Sequence, residues 1–277
     1  MQIRSILLFF SYIPISIFSS CSATSSTYED RAQNKNTSID ELQQVAITYQ
    51  IEILTSNLDF PVRTTHGLIE GKAATEQQVR AYQPLFVKEF SLYPPELIRL
   101  TKLKRIVFCD ELSFAGQRRN AIPDFEHDSL YLDIVRGMKN SLYMRKVLHH
   151  DFYHMIDYRD DGKLYNDDRW LLLNPPQFQY TPGGGKSVQN VADTSVLTDK
   201  YPGFLNHYST MGVEEDKAEI FAHMLVDGSY MTRRASRDDI VATKVERMTE
   251  LLEKFCPEMN SEFWKKIEKA EQDHQPR

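Results

Sequence analysis

The sequence predicts an α+β fold in one domain, with a small mixed sheet, a helix that carries a histidine pair, and a helical C-terminal part. Two short runs rich in β-branched and aromatic residues, 105–109 and 129–134, predict strands. The stretch 142–148 lacks Gly and Pro and consists largely of helix formers, so it predicts a helix that continues into the histidines. Helical periodicity also marks three segments near 214–227, 237–256 and 260–273.

The elements before the first strand run are predicted from periodicity and Pro positions. Apolar residues recur at helical spacing from Ile39 to about Leu54, with Ser38 as a candidate N-cap. Residues 60–72, broken by Pro and Gly, predict loop with short extended pieces. A helix from about Thr75 to Leu92 should end before Pro94 and Pro95, which restart a short helix.

The two strand runs are expected to pair in a sheet beside the histidine helix. The polar stretch from Gln117 to Asp128 between them is long enough for a reversing loop. Residues 160–202 are rich in Pro and Gly and predict loops. No internal repeat and no second core are visible, so residues 39–277 are interpreted as one domain.

Composition is that of an ordinary globular protein. The 277 residues are 41% hydrophobic and 26% charged, with a net charge of −6. Lys and Arg are scattered rather than clustered, which argues against a nucleic-acid partner. We expect a monomer.

The N-terminus predicts export. Residues 1–21 read as a signal peptide, since the apolar run is too short and too interrupted to favour a membrane-spanning helix. Its end, Phe18-Ser19-Ser20-Cys21, is similar to a bacterial lipoprotein processing site, with Phe18 in place of the usual Leu. The alternative is ordinary signal-peptidase cleavage near Ser20 or Ala23. The expected location is therefore the bacterial cell envelope, with a lipid anchor at Cys21 as the sole membrane contact, or the outside of the cell.

Residues 22–38 are rich in Ser, Thr, Asn and Gln, and they predict a flexible linker. Two cysteines lie beyond it, Cys109 and Cys256. In an exported chain they could form a disulfide, and two independent free thiols are the alternative.

The segment His150-Asp151-Phe152-Tyr153-His154 carries the strongest chemical signal. Two histidines four residues apart project from one helix face and can bind Zn²⁺, and the carboxylate between them can reach water on the metal. A chance pair of core histidines is the alternative.

An acidic helix can supply a third ligand. Ala218, Phe221, Ala222 and Leu225 form one apolar stripe, and Glu215, Glu219 and His223 share the adjoining face. A solvated acidic face is the alternative. Catalytic zinc, however, takes three protein ligands and keeps one position open.

Together these motifs resemble zinc-binding metallopeptidases of the gluzincin type, a family related in its catalytic core to anthrax lethal factor. The resemblance covers about residues 100–230 and rests on four motifs in order. They are His150 to Asp157; Trp170-Leu171-Leu172-Leu173-Asn174-Pro175 leading through Phe178-Gln179-Tyr180 to Gly183-Gly184; Pro202 to Tyr208; and Glu215 to Ala222.

The resemblance implies a zincin-like metalloprotease domain whose metal ligands are His150, His154 and Glu219, with a peptide or protein as substrate. It implies Tyr208 as an oxyanion donor, for which a neutral phenol is suited, although a packing role is the alternative. Asp157, on the face of His150, could orient a ligand imidazole or be a surface charge. His149 is expected to lie outside the metal site.

Asp151 departs from the family pattern, which has Glu at this position. As the candidate general base it keeps the carboxylate but is one methylene shorter, and misplacement by about 1 Å can cost around a hundredfold in rate. We therefore expect an exported zinc-dependent metallopeptidase. The alternative is a zinc-binding envelope protein with impaired catalysis that acts as a binding module. A structural lipoprotein without metal is disfavoured, because it leaves the order of four motifs to coincidence.

Overall fold

The computed structural model describes residues 41–181 and 193–272, and these lie in one compact unit, Asp40–Arg277. The predicted signal peptide 1–21, the linker 22–38, the N-cap Ser38 and the motif Gly183-Gly184 lie outside the described residues.

The N-terminal half alternates helices with strands. The elements in chain order are α1 (41–49), β1 (Glu52–Leu54), β2 (Val62–Thr64), β3 (Gly67–Ala73), α2 (Glu76–Phe90), α3 (Pro95–Thr101), β4 (Arg105–Phe114), β5 (Gln117–Arg118), β6 (Ala121–Asp124) and β7 (Ser129–Asp133). The C-terminal half is helical, with α4 (Ser141–Asp161), α5 (Asp168–Leu171), a 3-10 turn (Tyr208–Thr210), α6 (Val213–Val226), α7 (Gly228–Ala235), α8 (Asp239–Phe255) and α9 (Ser261–Gln272).

The sheet is mixed and runs in the order β2-β3-β4-β7-β6, with β1 and β5 also paired to β4. Strands β4 and β7 are parallel, in a register that places Arg105 opposite Ser129 and Cys109 opposite Asp133. Strand β6 ends this order and runs antiparallel to β7. The α+β fold class and the mixed sheet are thus confirmed. The stretch 117–128, predicted as a reversing loop, instead contains β5 and β6.

Alternation along β4 divides the core into two layers. Ile106 and Phe108 are fully buried in the large core between the sheet and the helices. Val107 and Cys109 belong to a smaller cluster on the other face, together with Ile69. Both faces of β4 are therefore covered, which explains its continuous apolar run.

The helix predicted from Ile39 to Leu54 ends earlier, and its last residues form a strand. Gln50 has a φ of 55°, a left-handed conformation that ends the helix. The chain then pairs with β4 in parallel, beginning with the Glu52 N–H donating to the Lys104 carbonyl at 2.8 Å. The non-local pairing with β4 overrides the local helical periodicity.

Helix α2 begins close to where the sequence predicts it. Thr75 is the N-cap, its hydroxyl accepts from the Gln78 N–H, and the Gln78 side chain completes a capping box. Helix α3 starts at Pro95 with Pro94 as its N-cap, as the Pro pair predicts.

Helix α4, which carries the histidine pair, is fixed at both ends. The Asn140 side chain accepts from the Tyr143 N–H at 3.0 Å at the N-terminus. Gly162, at a φ of 77°, ends the helix in the left-handed conformation that favours glycine. The helix packs against α6 and along the edge strand β6. Across the described residues, no helix is long and apolar enough to cross a bilayer.

Candidate metal centre

The two histidines and one carboxylate of α6 meet between α4 and α6. The His150 Nε2 lies 3.0 Å from Glu215 Oε2, and the His154 Nε2 lies 3.6 Å from the same oxygen. One ligand atom from each of the three residues lies within 4.8 Å of the others. All three side chains are largely buried, so the group is shielded from bulk water.

This donor set fits a zinc ion. Zinc bonds of about 2.0–2.1 Å to imidazole nitrogen and carboxylate oxygen place neighbouring ligand atoms of a tetrahedron roughly 3.3 Å apart. The two measured nitrogen–oxygen distances lie on either side of that value. Two imidazoles and one carboxylate also leave one position open, as a catalytic site requires.

Glu219, the predicted third ligand, lies on the opposite side of the His150 ring. Its Oε1 is 3.0 Å from His150 Nδ1, whereas Glu215 faces Nε2 of the same ring. The structure therefore brings Glu219 to the site, but it is Glu215, one turn earlier on α6, whose carboxylate lies near the Nε2 atoms of both histidines. Both carboxylates share one helix face, so the packing of α6 on α4 decides which of them meets Nε2.

The Glu219 side chain is fully buried, and its carboxylate accepts hydrogen bonds from two side chains. The Lys146 Nζ donates to its Oε1 at 2.7 Å and the Asn206 Nδ2 donates to its Oε2 at 2.6 Å. Its pKa is well below the usual value, because Lys146 and His150 outweigh the effect of burial. A carboxylate fixed in this way can orient the imidazole of His150.

The electrostatics of the centre favour a cation. Burial lowers the pKa of His150, but the carboxylates of Glu215 and Glu219 outweigh burial and raise the pKa to about 10. The pKa of Glu215 is lowered because His150 and His154 outweigh its burial. Two anionic carboxylates thus flank one ring. A bound metal cation would balance their negative charge in place of the protonated His150 imidazole.

Tyr208 lies beside the centre in the 3-10 turn. Its hydroxyl donates to Glu215 Oε1 at 2.8 Å, and its ring centroid lies 5.8 Å from that of His150. Burial and the charge of Glu215 raise its pKa well above the usual value, so the phenol stays protonated. The turn is anchored by Asn206, whose Oδ1 accepts from the Ser209 N–H and hydroxyl, both at 2.9 Å.

Asp151 follows His150 on α4 and is partly exposed. Burial raises its pKa, while the positive charges of His150 and His154 oppose that rise. The Glu215 carboxylate also raises the pKa of Asp151, whereas the charge of Lys146 lowers it. Asp151 therefore belongs to the electrostatic environment of the centre.

Two other polar residues of α4 have partners away from the metal centre. Asp157, considered as a partner for a ligand imidazole, instead accepts a hydrogen bond from Lys217. His149 is fully buried on the other side of the helix, as predicted, with Nδ1 2.5 Å from the Tyr93 hydroxyl and Nε2 3.0 Å from Glu89 Oε2.

The first turn of α6, which presents Glu215, is fixed by a second buried network around Asp216. The Asp216 Oδ2 accepts from Trp170 Nε1 at 2.8 Å, from the Tyr180 hydroxyl at 2.7 Å and from Lys244 Nζ at 2.7 Å. Lys244 and Asp216 are both fully buried. Sequence reasoning missed this network, although the position of Lys244 at helical spacing between the apolar residues Val241 and Met248 of α8 was a usable signal.

No protein-family model and no curated protein matches the chain. The fold does match a crystal structure from Bacteroides caccae, that of a "putative zinc-binding metallo-peptidase". The TM-score is 0.50 at 18% sequence identity, and the match covers 87% of this chain and 97% of the other. The likeness shows a shared fold.

Proposed function

We propose that the chain is a zinc-dependent metallopeptidase of the gluzincin type, with His150, His154 and Glu215 as the metal ligands. One observation carries the proposal: ligand atoms of these three residues, from helices far apart in sequence, converge within 4.8 Å. The shared fold with the Bacteroides caccae protein, described as a "putative zinc-binding metallo-peptidase", supports the same chemistry.

A zinc ion held by these residues supplies Lewis acidity, which polarises a carbonyl and acidifies water. Asp151 is the candidate general base, which would take a proton from the attacking water and then give that proton to the leaving amine. Tyr208 keeps its proton and donates a hydrogen bond to the developing oxyanion, moving away from Glu215 Oε1 as it does so. Glu219, whose Oε1 lies 3.0 Å from His150 Nδ1, would orient the His150 ring from the far side through this ion-pair contact.

The short side chain of Asp151 favours a second candidate, a zinc-binding module that has lost hydrolysis. The metal ligands are unaffected by this residue, so both candidates bind zinc and only the first cleaves peptides. We further propose export, with processing at Cys21, from the N-terminal sequence alone.

Metal content tests the centre itself. Purified protein should hold close to one zinc per chain, and His150→Ala should hold very little, because a site with one imidazole and one carboxylate binds weakly. Elemental analysis after extensive dialysis measures both. A wild-type protein without bound metal would contradict the proposal.

Asp151 variants separate the two candidates. The enzyme reading expects Asp151→Ala to abolish cleavage of a mixed peptide library and Asp151→Glu to preserve or raise it, since Glu restores the longer reach. The binding-module hypothesis expects that neither Asp151→Ala nor Asp151→Glu changes the function of the protein. Zinc content measured on the same preparations controls for loss of the centre.

A further inference from the structure

We infer that Arg119 is a substrate-binding residue that recognises a carboxylate group of the peptide, so that the preferred substrates are anionic next to the scissile bond. This inference rests on the proposed function for the identity of the ligand as a peptide. It names a subsite that neither the metal ligands nor Tyr208 forms.

Arg119 lies between β5 and the edge strand β6, and β6 packs along α4, the helix that carries His150 and His154. Its N–H donates to the Leu112 carbonyl at 2.9 Å, and the Asp133 N–H donates to the Asn120 carbonyl at 2.8 Å. These backbone bonds attach residues 119–120 to the sheet.

The next residue joins this segment to α4. The Asn120 Nδ2 donates to the Tyr143 hydroxyl, and Tyr143 lies seven residues before His150, on the same helix face. Lys146, the partner of Glu219, lies 6.0 Å from the centroid of the Tyr143 ring. Contacts therefore run without a break from residues 119–120 to the metal centre.

The guanidinium is half-buried and has no acidic partner. Its hydrogen bonds go to neutral oxygens, from Nη2 to Gln117 Oε1 at 3.1 Å and from Nη1 to the Arg118 carbonyl at 3.4 Å. Within residues 41–181 and 193–272, no carboxylate lies within ion-pair distance of Arg119. A guanidinium has five donors in a planar fork, so this one keeps donors for a bidentate bond to a carboxylate.

The charges that act on Arg119 include those of residues of the candidate centre. Burial lowers its pKa, and the charges of Tyr208, Asp151 and Glu215 act in the opposite sense. Arg136, another arginine without an ion pair in the described part of the chain, also acts on Arg119 and lowers its pKa further. The positive charges of these two arginines repel each other, and a substrate anion would relieve the repulsion.

Binding rather than turnover tests the inference. Degenerate peptide pools are captured on immobilised, zinc-loaded protein carrying Asp151→Asn, which removes the candidate base, and bound peptides are quantified by mass spectrometry. Amidated pools with Glu or Gln at one fixed position test a side-chain carboxylate. A Gln pool with a free C-terminus tests the terminal carboxylate, which offers Arg119 the same chemistry.

We expect at least one carboxylate pool to be enriched on the order of tenfold over its neutral counterpart, as a charge-assisted bidentate hydrogen bond provides. Adding Arg119→Gln should abolish this enrichment, and Arg119→Lys should restore only part of it. Arg118→Gln is the matched control, since it removes the same charge from the adjacent exposed residue and should leave the enrichment intact.

Equal capture of the charged and neutral peptide pools would overturn the inference. An equal loss of enrichment in Arg119→Gln and Arg118→Gln would also overturn it. Zinc content of each variant reports whether the centre is intact. A wild-type protein that binds zinc and cleaves nothing contradicts the peptidase function, while the capture ratio still decides the role of Arg119.

Discussion

Two carboxylates one turn apart on α6 have different proposed roles around the His150 ring. Glu215 lies at Nε2, shared with His154, whereas Glu219 lies at Nδ1 and is neutralised by Lys146. A ligand and the residue that orients a ligand are therefore distinguishable by the ring nitrogen that each one faces.

Zinc affinity should separate these roles. We expect Glu219→Gln to lower zinc affinity by roughly 10–100-fold, the usual cost of losing a group that orients a ligand imidazole. Glu215→Gln should lower it further, because a coordinating oxygen anion is lost. Competition with a chromophoric chelator measures both affinities. The reverse ranking would assign the ligand role to Glu219, as the resemblance alone implied.

The sequence allowed most of the residues of the candidate centre to be predicted, but not their arrangement around the His150 ring. The spacing of His150 and His154 fixes their shared face by helix geometry alone. Glu215 and Glu219 also share a face, and which one reaches Nε2 depends on how far α6 slides along α4. That offset is set by side-chain packing between distant segments, which no local pattern encodes.

At the scale of elements, the position of α6 depends on the buried pair Lys244–Asp216, which joins the middle of α8 to the first turn of α6. The Lys244 Nζ also donates to the Gly203 carbonyl at 2.7 Å and lies 3.8 Å from the centroid of the Phe204 ring. One ammonium group thus fixes the helix and the loop that flank the centre.

Lys244→Met should destabilise the zinc-free protein by about 3 kcal/mol, because it leaves Asp216 charged and buried with hydrogen bonds from Trp170 and Tyr180 alone. Urea denaturation monitored by tryptophan fluorescence measures the change. Lys265→Met, which breaks the exposed pair with Glu262, is the control and should have little effect. Equal effects of the two substitutions would contradict the role of the buried pair.

Prediction of the elements succeeded where local signals dominate and failed where distant pairing does. The capping residue Thr75 and the Pro94-Pro95 break define α2 and α3 from the sequence. Residues 52–54 kept a helical pattern yet form a strand, because β4 offers them a parallel partner. Strand β6 was missed for the same reason, since its short segment contains Pro123 and becomes a strand only by pairing with β7.

For the whole molecule, both cysteines of the described chain are free and fully buried in separate core layers, Cys109 under the sheet and Cys256 among the helices. The disulfide considered from the sequence is therefore absent between them. The Cys109 Sγ donates to the Leu132 carbonyl at 3.3 Å, and burial raises the pKa of this thiol well above its usual value.

Both thiols should consequently resist alkylation in the folded protein. Raising the pH from 7 to 9 should accelerate labelling of Cys109 very little, because the thiolate is the reactive form and burial suppresses it. In denaturant both residues should label fully. Peptide mapping by mass spectrometry reads each site, and rapid native labelling or a linked Cys109–Cys256 peptide would contradict this expectation.

The placement of Glu215, sixty-five residues beyond His150, also has a consequence for biosynthesis. A growing polypeptide displays both imidazoles well before Glu215 has been synthesised, and Lys244, the buried partner of Asp216 on α6, follows later still. In the proposed function, the three-ligand zinc site can therefore be completed only late in synthesis, so metallation would be a late event in maturation.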